Sequence, residues 1–304
     1  MSGHENCSGE PSLPAEASSP LQALRRELQR SNYAGRTVSL AEGATVIAGV
    51  CLFAARRTGP KDALVLAGIG ALGLADDIIE PRRRRAGHAV AKGLKGHLGA
   101  LREGRLTTGG AKALGIPLLA LAGAASGPRR RGGMLVLTDA ALTAGCANLV
   151  NLLDLRPGRA LKAVLPVAAM LAVAPVKTSG AISAPQDATG ERAARDANGR
   201  HLAWAALIPA ALALPTDLRE IGMLGDAGAN VLGAAVGTAA ARRLPGPLRL
   251  GALAGVIALT LASEKVSFSA VIDANPVLHA LDQLGRREPQ PSGSAPAASP
   301  GGGA

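Results

Sequence analysis

Aromatic side chains are nearly missing, with two Phe, one Tyr and one Trp in 304 residues. So few rings leave no platform on which bases could stack, which excludes an aromatic nucleic-acid-binding module and removes nucleic acid from the expected partners. Cysteine is scarce too. Cys7, Cys51 and Cys146 are odd in number and far apart, so neither a disulfide framework nor a zinc knuckle is supported. A secretory leader is not visible either, because residues 1–20 are polar and rich in Ser, Pro and Glu, with no apolar run. What abounds is small and aliphatic. Ala, Leu, Val and Ile, interleaved with 39 Gly, supply most of a 48% apolar content beside a formal charge of +11. That charge suits an anionic partner, and the positive mean hydropathy favours a membrane.

About eight apolar, helix-compatible stretches are separated by charged loops, with uncharged cores at 43–55, 63–75, 113–128, 140–153, 163–176, 202–216, 227–241 and 250–263. Each core is 13 to 16 residues long, short of the roughly 20 that cross the hydrocarbon of a bilayer. One such run would read as a buried helix of a soluble protein. Eight in succession with little polar periodicity favour a multi-pass membrane protein over an Ala-rich soluble bundle. Flanking Arg and Lys lengthen each span by snorkelling, and the many small residues permit close helix approach in lipid. The fold class expected is therefore all-α, a multi-pass transmembrane helical bundle. Residues 1–30 read as a polar arm, 31–287 as the integral membrane domain and 288–304 as a low-complexity, disordered tail.

With eight spans both termini share one side. That side carries 20 of the 33 Lys and Arg and is expected to be cytoplasmic. Nearly all the suggestive carboxylates fall on it, at helix ends. The second span ends in GLADDIIE, with Asp76 and Asp77 adjacent. The fourth ends in CANLVNLLD, placing Asn148, Asn151 and Asp154 at i, i+3 and i+6 on one helical face. The seventh opens with MLGDAGANVLG, putting Asp226 at a helix start. Carboxylates next to a bilayer are costly, and several converging with amides make a hard oxygen environment suited to Mg²⁺. Each motif also has a plainer reading: Asp226 as an N-cap, Asn148 and Asn151 as glue between helices. Asp139 lies in mid-span and reads as a hydrogen-bonded structural group.

In order along the chain, these motifs resemble the polyprenyl-phosphate N-acetylhexosamine-1-phosphate transferase superfamily, which includes the phospho-MurNAc-pentapeptide transferases of peptidoglycan synthesis. NYAGRTVSLAEG at 32–43 resembles the family's first cytoplasmic loop, and GLADDIIE its aspartate pair. KGLKGHLGAL, bearing Lys92 and Lys95, resembles the lysine-bearing stretch that follows, with TTGGAKALG at 107–115 next in order. NLVNLLD resembles NxxNxxD, and MLGDAGANVLG resembles MGDxGSxxLG; these last two are the more specific.

The resemblance implies a phosphoglycosyl transferase that moves a sugar-1-phosphate from a UDP-amino sugar to a polyprenyl phosphate, releasing UMP, in cell-wall or envelope polysaccharide synthesis. It implies Mg²⁺ held mainly by Asp226 with Asp77. Asp76 and Asp77 would engage the lipid phosphate, Asn148, Asn151 and Asp154 the nucleotide or metal site, and Lys92 or Lys95 a phosphate. The partners implied are the lipid carrier, the UDP-sugar and a bacterial inner membrane with the active face cytoplasmic, and a homo-oligomer is compatible with all of these. The chain departs from the family pattern at three places. A span usual before the first loop is replaced by the polar arm. The last cytoplasmic loop carries only His279 where the family has a histidine cluster, and LRPGR, with Arg156 and Arg159, replaces an acidic sequence. Those arginines read equally as phosphate ligands or as helix-end and headgroup contacts. The departures keep a second reading open, a non-catalytic relative that binds a lipid carrier or scaffolds envelope-synthesis proteins.

Overall fold

The computed structural model describes residues 19–87, 99, 102, 107–126, 132–175 and 186–287. Helices dominate: α1 (Pro20–Glu27), α2 (Ala41–Arg57), α3 (Pro60–Arg85), α4 (Thr108–Ala125), α5 (Gly133–Leu153), α6 (Arg159–Val173), α7 (Gln186–Leu218), α8 (Gly225–Arg243), α9 (Gly246–Ser263), α10 (Phe268–Ala274) and α11 (Pro276–Gln283). The sole sheet among the described residues is a two-stranded antiparallel hairpin, β1 (Gln29–Ser31) with β2 (Thr37–Ser39).

The axis of the bundle is α8, in which 16 of 19 residues are buried. α2, α3, α5, α6 and α7 pack around it, α4 lies outside α3 and α5, and α9 lies outside α5. A helix enclosed on all sides must be thin, and 11 of the 19 residues of α8 are Gly or Ala. At Gly233 a Cβ would run into the Cys146 carbonyl and come within 2.6 Å of Ala147 Cα, so only glycine lets α5 and α8 meet backbone to backbone. Leu142, Leu161, Leu202 and Leu232 fill the wider gaps.

Outward faces are apolar. Leu118, Met134, Leu212, Leu250 and Leu261 are all exposed, far more aliphatic surface than water tolerates in one belt. Among the described residues four helices are long and apolar enough to cross a membrane: Thr108–Ala125, Gly133–Leu153, Gly190–Leu218 and Gly246–Ser263. The described chain is thus predominantly helical and of membrane type. Of the other four expected spans, α2 and α6 have 17 and 15 residues. α3 is charged at both ends, and α8 has Gly and Ala where a span facing lipid would carry larger side chains.

The polar loop that opens the bundle is more ordered than its composition predicts. Asn32 Oδ1 accepts the Ala34 and Arg36 N–H groups at 2.9 and 3.0 Å, and Gly35 takes φ +74, closing the turn between β1 and β2. Ser39 then pairs with the α7–α8 connection, donating to Ile221 O at 3.1 Å and accepting from Met223 N at 3.0 Å. The Arg30 guanidinium donates to the Asp77 carbonyl. Residues expected to be a polar arm therefore include a strand clasped to the bundle.

At the other end of the chain, α10 and α11 are held by ion pairs. Arg159 grips Asp282 through two bonds of 2.9 and 3.0 Å and reaches Ser269 Oγ at 2.9 Å. Arg286 lies 2.7 Å from the same carboxylate. Arg159 thus fits neither reading offered by the sequence: it is a buried fastener, 5% exposed and paired with Asp282.

Candidate functional site

Three elements converge where α3 ends, α4 begins and α8 begins. Gly73 permits the approach: a Cβ there would lie 2.6 Å from Asp226 O and 2.7 Å from Ala227 Cα. One turn later, Asp77 turns both carboxylate oxygens onto the open end of α8, Oδ1 accepting from Asp226 N at 3.1 Å and Oδ2 from Ala227 N at 3.0 Å. A helix start leaves such N–H groups unsatisfied and favours negative charge, so Asp77 serves as an N-terminal cap supplied by another helix. Asn230, 1% exposed, donates to Asp226 O at 2.6 Å and fixes the same turn from inside.

Asp76 and Asp226 meet at a lysine. Thr107 caps α4 by accepting from Gly110 N at 3.0 Å, which places Lys112 in the second turn. Lys112 Nζ lies 3.0 Å from Asp76 Oδ2 and 2.5 Å from Asp226 Oδ2. Two carboxylates and one ammonium leave one negative charge. Asp76 Oδ1 is buried and has no hydrogen-bond donor. Asp226, with its side chain 27% exposed, is the member open to solvent. Lys112 was the residue that sequence reasoning passed over within TTGGAKALG, although it is the one charge in an 18-residue apolar helix.

The NxxNxxD residues separate. Asn148 is exposed, whereas Asn151 and Asp154 are partly buried. Asp154 follows the last turn of α5 and lines a cleft of about 340 Å³ with Asn32, Tyr33, Arg156, Asp217 and Glu220. In that cleft the Arg156 guanidinium stacks 4.3 Å over the Tyr33 ring. Glu220 Oε2 accepts from Asn32 Nδ2 at 2.5 Å, and Oε1 lies 3.4 Å from Arg36. These partners hold Glu220 at φ 56, where among the described residues no other side chain sits. Burial pushes the Asp154 carboxyl well above the ordinary carboxylate range, and the charges of Asp217, Asp226, Asp77 and Glu42 push it the same way. The two clusters therefore share one field of negative charge at one end of the bundle.

Lys92 and Lys95 lie outside the described residues. Among the described residues no group of three or more His, Cys, Asp or Glu is arranged to hold a metal ion by itself. Mg²⁺ bound with phosphates asks for less, one or two carboxylates with phosphate and water oxygens completing the shell. Asp226, with its half-open carboxylate, and Asp76 are the residues that could hold such an ion, while Asp77 has both oxygens committed to backbone N–H groups. No family model, curated protein or solved structure matches this chain.

Proposed function

We propose that this chain is a phosphoglycosyl transferase acting at a membrane surface, with a polyprenyl phosphate as acceptor and a UDP-amino sugar as donor. The observation that carries the reading is the Lys112 ammonium set between Asp76 and Asp226 at the α8 start that Asp77 caps. An exposed carboxylate, a lysine and a helix N-terminus suit oxyanions that bring their own counter-ion. The order of motifs shared with the polyprenyl-phosphate transferases supports the same chemistry. So does the apolar belt, through which a lipid acceptor can reach the end of α3 sideways. The eight-span arrangement with this end in the cytoplasm belongs to the same proposal.

In the reaction an oxygen of the lipid phosphate attacks the β-phosphorus of the donor. The new P–O bond forms as the bond to the α-phosphate oxygen breaks, and UMP leaves with that oxygen. Asp226 and Asp76 would hold Mg²⁺, which when bound offsets the repulsion between the two phosphorylated reactants. Lys112 supplies a second positive charge and swings from the carboxylates to a phosphate oxygen as the reactants enter. Asp77 is a positioning residue, fixing the first turn of α8 and hence the Asp226 carboxylate. The Asp154 cleft, with Arg156 stacked on Tyr33, accepts the nucleotide.

A second reading, a non-catalytic binder of the lipid carrier, is favoured by one observation: Lys112 already satisfies one oxygen each of Asp76 and Asp226. UMP release separates the two. Protein reconstituted in liposomes with polyprenyl phosphate, Mg²⁺ and a panel of UDP-sugars is expected to release UMP only when lipid and metal are both present. Asp226→Asn and Lys112→Gln should lower that release by a factor of about 100 or more, the scale of losing one electrostatic contact to a transition state. Folded wild-type protein that binds polyprenyl phosphate yet releases no UMP with any donor would establish the second reading.

A further inference from the structure

A larger cavity than the Asp154 cleft lies elsewhere among the described residues. It encloses about 1460 Å³ between the C-terminal ends of α2, α4, α6 and α8 and the N-terminal ends of α3, α5, α7 and α9. Asp62 on its wall and Asp77 in the carboxylate cluster are fifteen residues apart on α3, which at the helical rise of 1.5 Å per residue is roughly 22 Å. This is the far end of the bundle.

Its charges are ordered. Arg242 binds Asp62 in a two-point fork at 2.6 Å on each arm. Arg195 and Arg249 share Asp139, at 2.9 and 3.1 Å. Arg243 pairs with Asp196 at 2.8 Å and donates to the Leu171 and Ala174 carbonyls that end α6. A network meant only to fasten helices would be neutral and would leave no space. Among the described residues this wall has six basic and four acidic side chains, a surplus of two positive charges, with Lys61 and Arg192 at its exposed rim. Arg249 is 7% exposed; its Nη1 lies 3.1 Å from Asp139 and donates to the Ala241 carbonyl at 3.2 Å, while its Nε is buried. The remaining wall is aliphatic, with Val65, Leu66, Met170 and Leu248. The volume also exceeds the roughly 300–1,000 Å³ of ordinary small-molecule pockets.

We infer that this cavity binds a phosphate-headed amphiphile, its anion on the arginines and its tail along the aliphatic wall, at a site separate from the Asp76–Lys112–Asp226 cluster. Arginine forks match phosphate oxygens in geometry as well as charge, which neutral or cationic headgroups do not exploit. The inference stands on this end of the molecule and does not depend on the transferase reading.

The test is a titration of delipidated full-length protein in detergent, followed by native mass spectrometry. The probes are dioleoyl phosphatidic acid, dioleoyl phosphatidylcholine, dioleoylglycerol and inorganic phosphate. Phosphatidic acid is expected to bind saturably and more tightly than the other three. Arg249→Gln should weaken one bound equivalent about tenfold or more, equal to at least about 1.4 kcal/mol. Lys112→Gln, at the other end, should leave that equivalent unchanged. Ala124→Phe, which narrows the cavity without touching a charge, should weaken the same equivalent and guards against Arg249→Gln failing to fold. Equal binding of dioleoylglycerol would overturn the inference by removing the headgroup from it, and equal binding of inorganic phosphate by removing the tail. Unchanged phosphatidic acid affinity in folded Ala124→Phe would overturn the location.

Discussion

At the scale of single residues, the informative side chains are those whose charge is shared. Lys112 serves two carboxylates, so Lys112→Gln should lower thermal stability as well as activity, because it leaves Asp76 and Asp226 facing each other unscreened. Adding Asp76→Asn should recover part of the lost melting temperature without restoring UMP release. A double-mutant cycle on melting temperature checks the coupling. Asp154 yields a pH prediction with a definite sign. Burial and neighbouring carboxylates raise its folded-state pKa well above the ordinary carboxylate range, so the folded protein holds that proton more tightly than the unfolded chain. Its contribution is complete below the ordinary carboxylate range and is lost as pH rises toward the raised value. Metal-free protein should therefore lose melting temperature as pH rises from about 4, and Asp154→Asn should flatten that slope. Asp282 has the opposite sign. Burial raises it, but the hydrogen bond from Arg159 and the charge of Arg286 outweigh burial and hold it below its usual range. Asp282 therefore stabilises the docked C-terminal helices above that range.

At the scale of elements, packing around α8 separates glycines that look alike in the sequence. A Cβ at Gly233 meets backbone of α5, whereas a Cβ at Gly251 on α9 meets nothing within 4 Å. Gly233→Ala should cost about 1–3 kcal/mol through overpacking, and Gly251→Ala should be neutral or slightly stabilising. Thermal aggregation of the two variants in the same detergent makes the comparison. The apolar cores located the helices but not their ends: those at 63–75, 113–128 and 202–216 fall on α3 (Pro60–Arg85), α4 (Thr108–Ala125) and α7 (Gln186–Leu218), because charged and polar turns continue the helix beyond the apolar run. The hairpin was not legible. Its strands are three residues each, and what holds them is pairing with residues 221–223, nearly two hundred positions away. Asp77 shows the same limit. GLADDIIE was expected to end its helix, but α3 continues to Arg85, and that Asp77 caps another helix depends on how α3 and α8 cross. Asp139 sat in mid-span with no visible partner because Arg195 and Arg249 lie on separate helices.

For the whole molecule, the bundle has two polar ends and an apolar waist. If the carboxylate end faces the cytoplasm, as the Lys and Arg distribution predicts, a cysteine at Arg219 should react with an impermeant maleimide only in opened or inverted vesicles. A cysteine at Thr58 should react in intact cells. Both substitutions belong in a background with Cys7, Cys51 and Cys146 replaced, and the reverse labelling pattern would invert the topology. The enclosed position of α8 also bears on how the chain is made. A helix of Gly and Ala, with an aspartate at its start and two arginines at its end, gains little by leaving water for lipid on its own. Its neighbours α2, α3, α5, α6 and α7 all precede it in the chain. During synthesis the ring is thus already available when α8 emerges, and α8 enters a protein-lined slot. The carboxylate cluster then exists only once that last wall is in place, so incomplete chains and slipped insertions carry no assembled site.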